Sequence, residues 1–136
     1  MVSESNLGKR KYPSYRVHCR TAIVRESGGQ SELFYGRTHD LSIDGASVYS
    51  DNNILIKEPV NVLLAIPPHR ANQGEAIIEI HCQMLYTVLL SNHHQFRIGL
   101  RFIKFKENGR SLLEAHLSNR SPLANQKDEQ AHRYNL

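Results

Sequence analysis

The chain has 136 residues, 40% of them hydrophobic, and its 17 lysines and arginines against 13 acidic residues give a net charge of +4. This length and apolar fraction are typical of one domain with one core, and a second domain does not fit. No apolar run approaches the ~18 residues of a membrane-spanning helix, and residues 1–5 lack the basic-then-apolar order of a signal peptide. We therefore expect a cytoplasmic protein.

Alternating apolar and polar residues predict an antiparallel sheet of six strands. The predicted strands cover residues 15–26, 32–39, 46–50, 59–66, 75–90 and 95–105. Gly28 and Gly29 predict a hairpin between the first two strands, and Pro67 and Pro68 end the fourth. Six strands without helices along their edges favour a closed barrel, because closure pairs the edge groups. We predict an all-β fold, a six-stranded antiparallel barrel with a C-terminal α-helix.

The same alternation predicts which side chains face the core. In the first strand they are Val17, Cys19, Thr21 and Ile23, in the fifth Ile78, Ile80, Cys82, Met84, Tyr86 and Val88, and in the sixth Phe96, Ile98, Leu100 and Phe102. Arg97 and Arg101 then face outward. Cys19 and Cys82 are the only cysteines and suit small buried thiols in a reducing compartment, although pairing between them stays open.

The two ends of the chain are predicted to lie outside the barrel. Residues 1–8 are expected to be a flexible N-terminus and residues 9–120 the domain. Within it, residues 110–117 form a short amphipathic helix through Leu112, Leu113, Ala115 and Leu117, which packs against the barrel. Residues 121–136 are polar and are expected to form a tail.

Residues 9–20, called the arm below, are strongly basic, with five lysines and arginines and no acidic residue. Arg16 and Arg20 are spaced as R-x-x-x-R. A guanidinium forms bidentate bonds with phosphate oxygens and with O6 and N7 of guanine, and it also stacks on purine faces. Lysine could not do all three. Such arginines suit an anionic purine ligand, although a solvated basic arm is the ordinary alternative.

A second motif, Asp40-Leu41-Ser42-Ile43-Asp44-Gly45, lies where the chain changes direction between two predicted strands. Asp40 could accept hydrogen bonds from the N–H edge of guanine, Ser42 could bind a phosphate or cap the turn, and Gly45 would let backbone approach a ligand closely. All three are also ordinary turn residues. His39, beside Asp40, could contact a ligand or simply lie at the surface.

Together, R-x-x-x-R, about twenty strand-like residues and D-x-S-x-x-G resemble the PilZ domain family, and residues 96–102 resemble that family's last barrel strand. The resemblance implies the same barrel and a bacterial receptor for cyclic di-GMP. Carried over to this chain, the ligand-binding residues are Arg16, Arg20, Asp40, Ser42 and Gly45, with Arg10 and Lys11 as additional arm contacts. It also implies a protein partner in motility, pilus or exopolysaccharide machinery.

The register of the arginine pair stays open. If Pro13 and Val17 align with the family's usual proline and valine, the pair becomes Arg10 and Ser14, and the second arginine is missing. If instead Arg16 immediately precedes the strand, the residue four before it is Tyr12. The literal match places Arg20 inside the strand, ~13 Å beyond Arg16 at ~3.3 Å per residue.

Other classes of function remain as alternatives. A chain with the Arg10 and Ser14 register could be a protein-docking adaptor that has lost its ligand. A barrel with exposed cations near Tyr12 and Tyr15 could instead bind single-stranded nucleic acid, but no aromatic stripe crosses a strand, so we expect no nucleic-acid partner. We expect no enzyme, because no catalytic motif is found. We expect no metal and no cofactor other than the ligand, since the eight histidines are scattered.

Overall fold

The structure is a computed structural model that describes residues 12–68, 74–90, 94–120 and 122. Six antiparallel strands form a closed barrel in the order β1-β2-β3-β6-β5-β4. The strands are β1 (Arg20–Ser27), β2 (Gln30–Leu41), β3 (Gly45–Ser50), β4 (Val60–Ile66), β5 (Ala76–Leu90) and β6 (Gln95–Phe105), and helix α1 (Gly109–Leu117) follows them. The predicted fold is confirmed.

The barrel core is built from the inward positions of every strand. The largest fully buried side chains include Ile23, Leu41, Leu64, Ile78, Ile80, Ile98 and Leu100. Cys19 and Cys82 are also buried and both are free thiols. Burial raises the pKa of both thiols, that of Cys82 to about 12, so these groups stay protonated and pack as small apolar residues.

Helix α1 packs on the barrel through Leu113 and Leu117, which are buried as predicted. The other two residues of the predicted apolar face, Leu112 and Ala115, are both exposed, Leu112 at 37%. His116 is buried instead, because at 3.6 residues per turn it lies on the same face as Leu113 and Leu117. Within the described ranges, no helix is long and apolar enough to cross a membrane.

Two predicted details of the strands are wrong. The first strand begins at Arg20 rather than Tyr15, because the segment before it contains an isolated bridge between Tyr15 and Leu41 instead of a continuous ladder. Val88 is 51% exposed rather than buried, and Tyr86 lies opposite Gly99, with its ring against that glycine, rather than in the core. β5 contains two irregularities opposite β6, one of them between Met84 and Tyr86, and an extra residue in one strand moves the following side chains to the other face.

The segment before β1 still alternates as predicted, with Val17 and Cys19 in the core. The buried Thr38 of β2 fixes it: the Cys19 amide donates to Thr38 Oγ1 at 2.7 Å, and the Thr38 amide donates to the Cys19 carbonyl at 2.9 Å. Thr38 Oγ1 also donates to the Val17 carbonyl. One threonine therefore holds this end of the arm against the barrel.

Candidate functional site

The predicted motif forms a tight turn at residues 40–45, between β2 and β3. The Ser42 amide donates to the Gly45 carbonyl at 2.8 Å, and the Asp44 amide donates to Ser42 Oγ at 3.2 Å. Ser42 Oγ also donates to the Asp44 carboxylate, and Ser42 is fully buried. In this structure the Ser42 hydroxyl is therefore used to stabilise the turn.

Gly45 has a packing reason of its own. A Cβ atom at this position would lie 2.5 Å from the carbonyl oxygen of Leu100 on β6, closer than atoms can approach without a backbone shift. The last residue of the turn must therefore be glycine for β3 and β6 to pair at this distance.

Asp40 faces outward because of a bulge in β2. Thr38 points into the core opposite Val48, and strict alternation would turn Asp40 inward as well. The register shifts between Thr38 and Asp40, so Asp40 instead lies opposite Ser47. The extra residue, His39, places the carboxylate on the outer face of the barrel.

On that face Asp40 meets an arginine from outside both motifs. Arg97 of β6 directs Nη2 at Asp40 Oδ2 over 3.3 Å. The Arg97 side chain is 39% exposed, whereas that of Asp40 is 9% exposed. The carboxylate is therefore held largely within the surface while the guanidinium remains open to solvent.

Aromatic rings adjoin this ion pair. His39 packs on Tyr49 with 4.7 Å between ring centroids, and His18 lies 6.4 Å from His39. Partial burial lowers the pKa of His39, and the positive charges of Arg16 and Arg97 lower it further. This imidazole is therefore kept neutral near pH 7 in a positively charged environment.

The structure separates the predicted arginines. Arg16 follows Tyr15, which bridges Leu41, so it lies near Asp40 and its charge acts on His39. Arg20 pairs with Arg37 in the β1–β2 ladder and forms an ion pair with Glu75. Arg10 and Lys11 lie outside the described residues, as do residues 1–8 and all of the predicted tail except Pro122.

Arg20 lines a groove of about 450 Å³ on the outer face, together with His18, Arg37 and Tyr49. Sequence reasoning missed Arg37 and Tyr49 as possible site residues, and it predicted Arg97 to face outward without giving it a role. Their shared face follows from the register of β2, β3 and β6, in which Arg37, Tyr49 and Arg97 lie in one row. Among the described residues, no group of three His, Cys, Asp or Glu side chains could hold a metal ion.

Solved structures with the same fold share little sequence with this chain. MotI/DgrA, an inhibitor of motility from Bacillus subtilis, aligns with TM-score 0.62 at 12% identity over 83% of this chain and 54% of its own. YcgR from Escherichia coli in complex with c-di-GMP aligns with TM-score 0.57 at 12% identity, over 92% of this chain and 50% of its own. The MrkH–c-di-GMP complex from K. pneumonia aligns with TM-score 0.53 at 21% identity, over 82% of this chain and 51% of its own. This chain thus spans about half the length of these proteins.

A search of curated protein sequences finds no significant match. The PilZ domain family matches residues 9–119, a range that includes the arm, all six strands and α1. The barrel and the turn with its outward carboxylate lie within that range. The chain therefore belongs to the PilZ domain family.

Proposed function

We propose that this PilZ domain is a receptor for cyclic di-GMP that works by binding and not by catalysis. The observation that carries the proposal is the outward Asp40 carboxylate, placed on the barrel surface by the β2 bulge and flanked by Arg97 and the arm. A carboxylate among arginines suits a ligand that combines guanine N–H donors with phosphate anions. YcgR and MrkH, which share this fold and were solved in complex with c-di-GMP, support this choice.

In this proposal the residues of the two motifs share the ligand. Asp40 accepts hydrogen bonds from a guanine edge, and Ser42 and Gly45 hold the turn that presents it. Arg16 and Arg20 bind phosphate or guanine, with Arg10 and Lys11 as further contacts from the arm. Arg20 would have to leave Glu75, but both side chains of this pair are well exposed, at 60% and 41%, so the exchange costs little.

The signal is proposed to be the ordering of residues 8–16 around the dinucleotide. Fixing a segment costs conformational entropy, so charge-assisted bonds to two phosphates and two guanines must offset that cost. The reshaped surface would then be recognised by a protein partner, in motility, pilus or exopolysaccharide machinery. We propose that this occurs in the cytoplasm.

Calorimetric titration with cyclic di-GMP at physiological salt tests the proposal, with GTP and a short single-stranded oligonucleotide as controls. Saturable heat with cyclic di-GMP alone is expected, and its midpoint gives the stoichiometry. No binding to any of the three would favour the adaptor that has lost its ligand. Binding of the oligonucleotide alone would favour the nucleic-acid alternative, and its affinity should then fall steeply with salt.

A further inference from the structure

Arg97 lies outside both motifs yet is joined to an acidic side chain that the second motif places on the outer face. It is 57 residues from Asp40 and contacts it through a single Nη2–Oδ2 approach of 3.3 Å. A guanidinium has five N–H donors, so this one contact leaves others available. The Nε atom is buried and no described residue accepts a hydrogen bond from it. The guanidinium can therefore reorient without losing a hydrogen bond from Nε.

The pair presents acceptors and donors side by side. Guanine carries two donors, N1–H and the N2 amino group, from which a carboxylate can accept hydrogen bonds. Next to them are two acceptors, O6 and N7, to which a guanidinium fork can donate. Adenine places an N6 amino donor where guanine has O6. An arginine at that position would then face a donor, so the same pair that binds guanine rejects adenine.

The neighbouring side chains favour a base at this position. Tyr49 is the register partner of Arg97 on β3, and its ring is packed against His39 at 4.7 Å. Purine bases stack on aromatic rings and on guanidinium planes. A guanine held by Asp40 and Arg97 would thus lie beside an aromatic pair that is already assembled.

We propose that Arg97 is a specificity-determining residue, which reads O6 and N7 of the guanine whose N1–H and N2 amino groups are bound by Asp40. This inference rests on the proposed function, because it concerns the same ligand. It assigns guanine selectivity partly to β6 rather than to the two motifs alone.

The test compares three ligands on four proteins: the wild type, Arg97→Met, Arg97→Lys and Arg25→Met. Arg25 is a matched control, because it is a half-exposed arginine on a strand and faces a carboxylate, Glu32, at 3.9 Å. The ligands are cyclic di-GMP, its 7-deaza analogue, which lacks N7, and cyclic di-AMP. Dissociation constants are measured by calorimetry at one salt concentration, and thermal unfolding checks each fold.

We expect the wild type and Arg25→Met to bind the 7-deaza analogue roughly tenfold more weakly than cyclic di-GMP, since one donor–acceptor contact is lost. In Arg97→Met that penalty should become distinctly smaller, and the preference over cyclic di-AMP should fall by roughly ten- to a hundredfold. Arg97→Lys keeps a charge beside Asp40 but not the planar fork. Because an ammonium can still donate to O6 or N7, this variant should bind more tightly than Arg97→Met and lose less of the discrimination.

The outcomes separate the two proposals. If the wild type does not bind cyclic di-GMP, both the receptor function and the role of Arg97 are wrong. If the wild type binds but both Arg97 variants keep the full 7-deaza penalty and the full preference over cyclic di-AMP, Arg97 only positions Asp40 and the inference alone is overturned. Should Arg97→Met fail to fold, Arg97→Lys decides by the same ratios, with a smaller expected change.

Discussion

The turn at residues 40–45 and the arm are attached to the barrel in different ways. The turn is fixed by covalent continuity with β2 and β3, by the Ser42 hydrogen bonds and by the close approach of Gly45 to β6. The described part of the arm before Arg20 lies outside the strand ladder and is held by Val17 and Cys19 in the core, by hydrogen bonds with Thr38 and by the bridge between Tyr15 and Leu41. One part of the candidate site is therefore built into the sheet, whereas the other is attached to the barrel by separate contacts.

This difference predicts where binding energy and stability are sensitive to mutation. Mutations in the turn should act by disturbing a fixed backbone geometry. Mutations in the arm should act by changing its charge and its conformational order. The following predictions test the comparison, from the largest expected effect to the smallest.

Asp40→Ala should weaken cyclic di-GMP binding by about 100-fold or more, because the guanine N–H groups lose their acceptor and Arg97 loses its partner. Calorimetry measures the loss. Glu79→Ala is the matched control, since Glu79 is also a strand carboxylate facing one cation, Lys106, at 3.6 Å, and should bind normally. Full affinity in Asp40→Ala would mean that the site lies elsewhere.

Gly45→Ala should destabilise the domain by about 1–3 kcal/mol, because the new Cβ would overlap the Leu100 carbonyl and force β3 away from β6. Denaturant unfolding measures this change. Gly74→Ala is the control, since nothing lies within 4 Å of its Cβ position. If the two variants were equally stable, the β3–β6 spacing would not depend on glycine, and the ligand-approach role predicted from the sequence would become the stronger explanation.

The sequence predicted this turn and most of the barrel, because a period of two is imposed by the strand itself and does not depend on distant residues. It failed where one extra residue changes the period. The bulges in β5 exposed Val88, and the bulge at His39 turned Asp40 outward. Neither extra residue can be recognised from the alternation of apolar residues. The second motif therefore suggested that Asp40 faces outward, but the strand pattern did not predict it.

Partners far apart in sequence were also beyond prediction. Spacing predicted that Arg97 faces outward, but its contact with Asp40 depends on β3 and β6 being neighbours in the closed barrel. The ion pair between Arg20 and Glu75 likewise joins segments 55 residues apart. These contacts are set by strand order and register, and only the three-dimensional structure supplies both.

The arm can be tested by comparing Arg10→Ala, Arg16→Ala and Arg20→Ala. Because Arg16 is near Asp40 whereas Arg20 faces Glu75, we expect Arg16→Ala to weaken binding roughly tenfold and Arg20→Ala to have a smaller effect. A severe loss in Arg10→Ala would add the residues before the described range to the site. Equal and mild losses in all three would indicate only diffuse electrostatic attraction, which rising salt should then remove.

The smallest expected effect is a pH dependence of ligand affinity that arises from His39. It tests the arm and the turn together, because charges near both act on this imidazole. Its pKa is lowered by burial, then by Arg16 and Arg97 and less by His18, whereas Asp40 acts in the opposite direction. A bound dianion would oppose those cationic influences and raise the pKa, so that binding takes up a proton. Affinity should therefore increase a few-fold as the pH falls from about 7 to 6, through the ordinary range of histidine.

The stability of the ligand-free protein should change in the opposite direction. A histidine whose pKa is lowered on folding resists protonation in the native state, so the unfolded state gains protons first as the pH falls below the usual value of 6.5. Binding should strengthen while folding weakens across the same window. His39→Gln should flatten both slopes, and His81→Gln, a control that bonds Asn61 on β4 at 3.0 Å, should flatten neither. If His39→Gln kept the binding slope, His39 would not be the group that takes up the proton, and this prediction would be wrong.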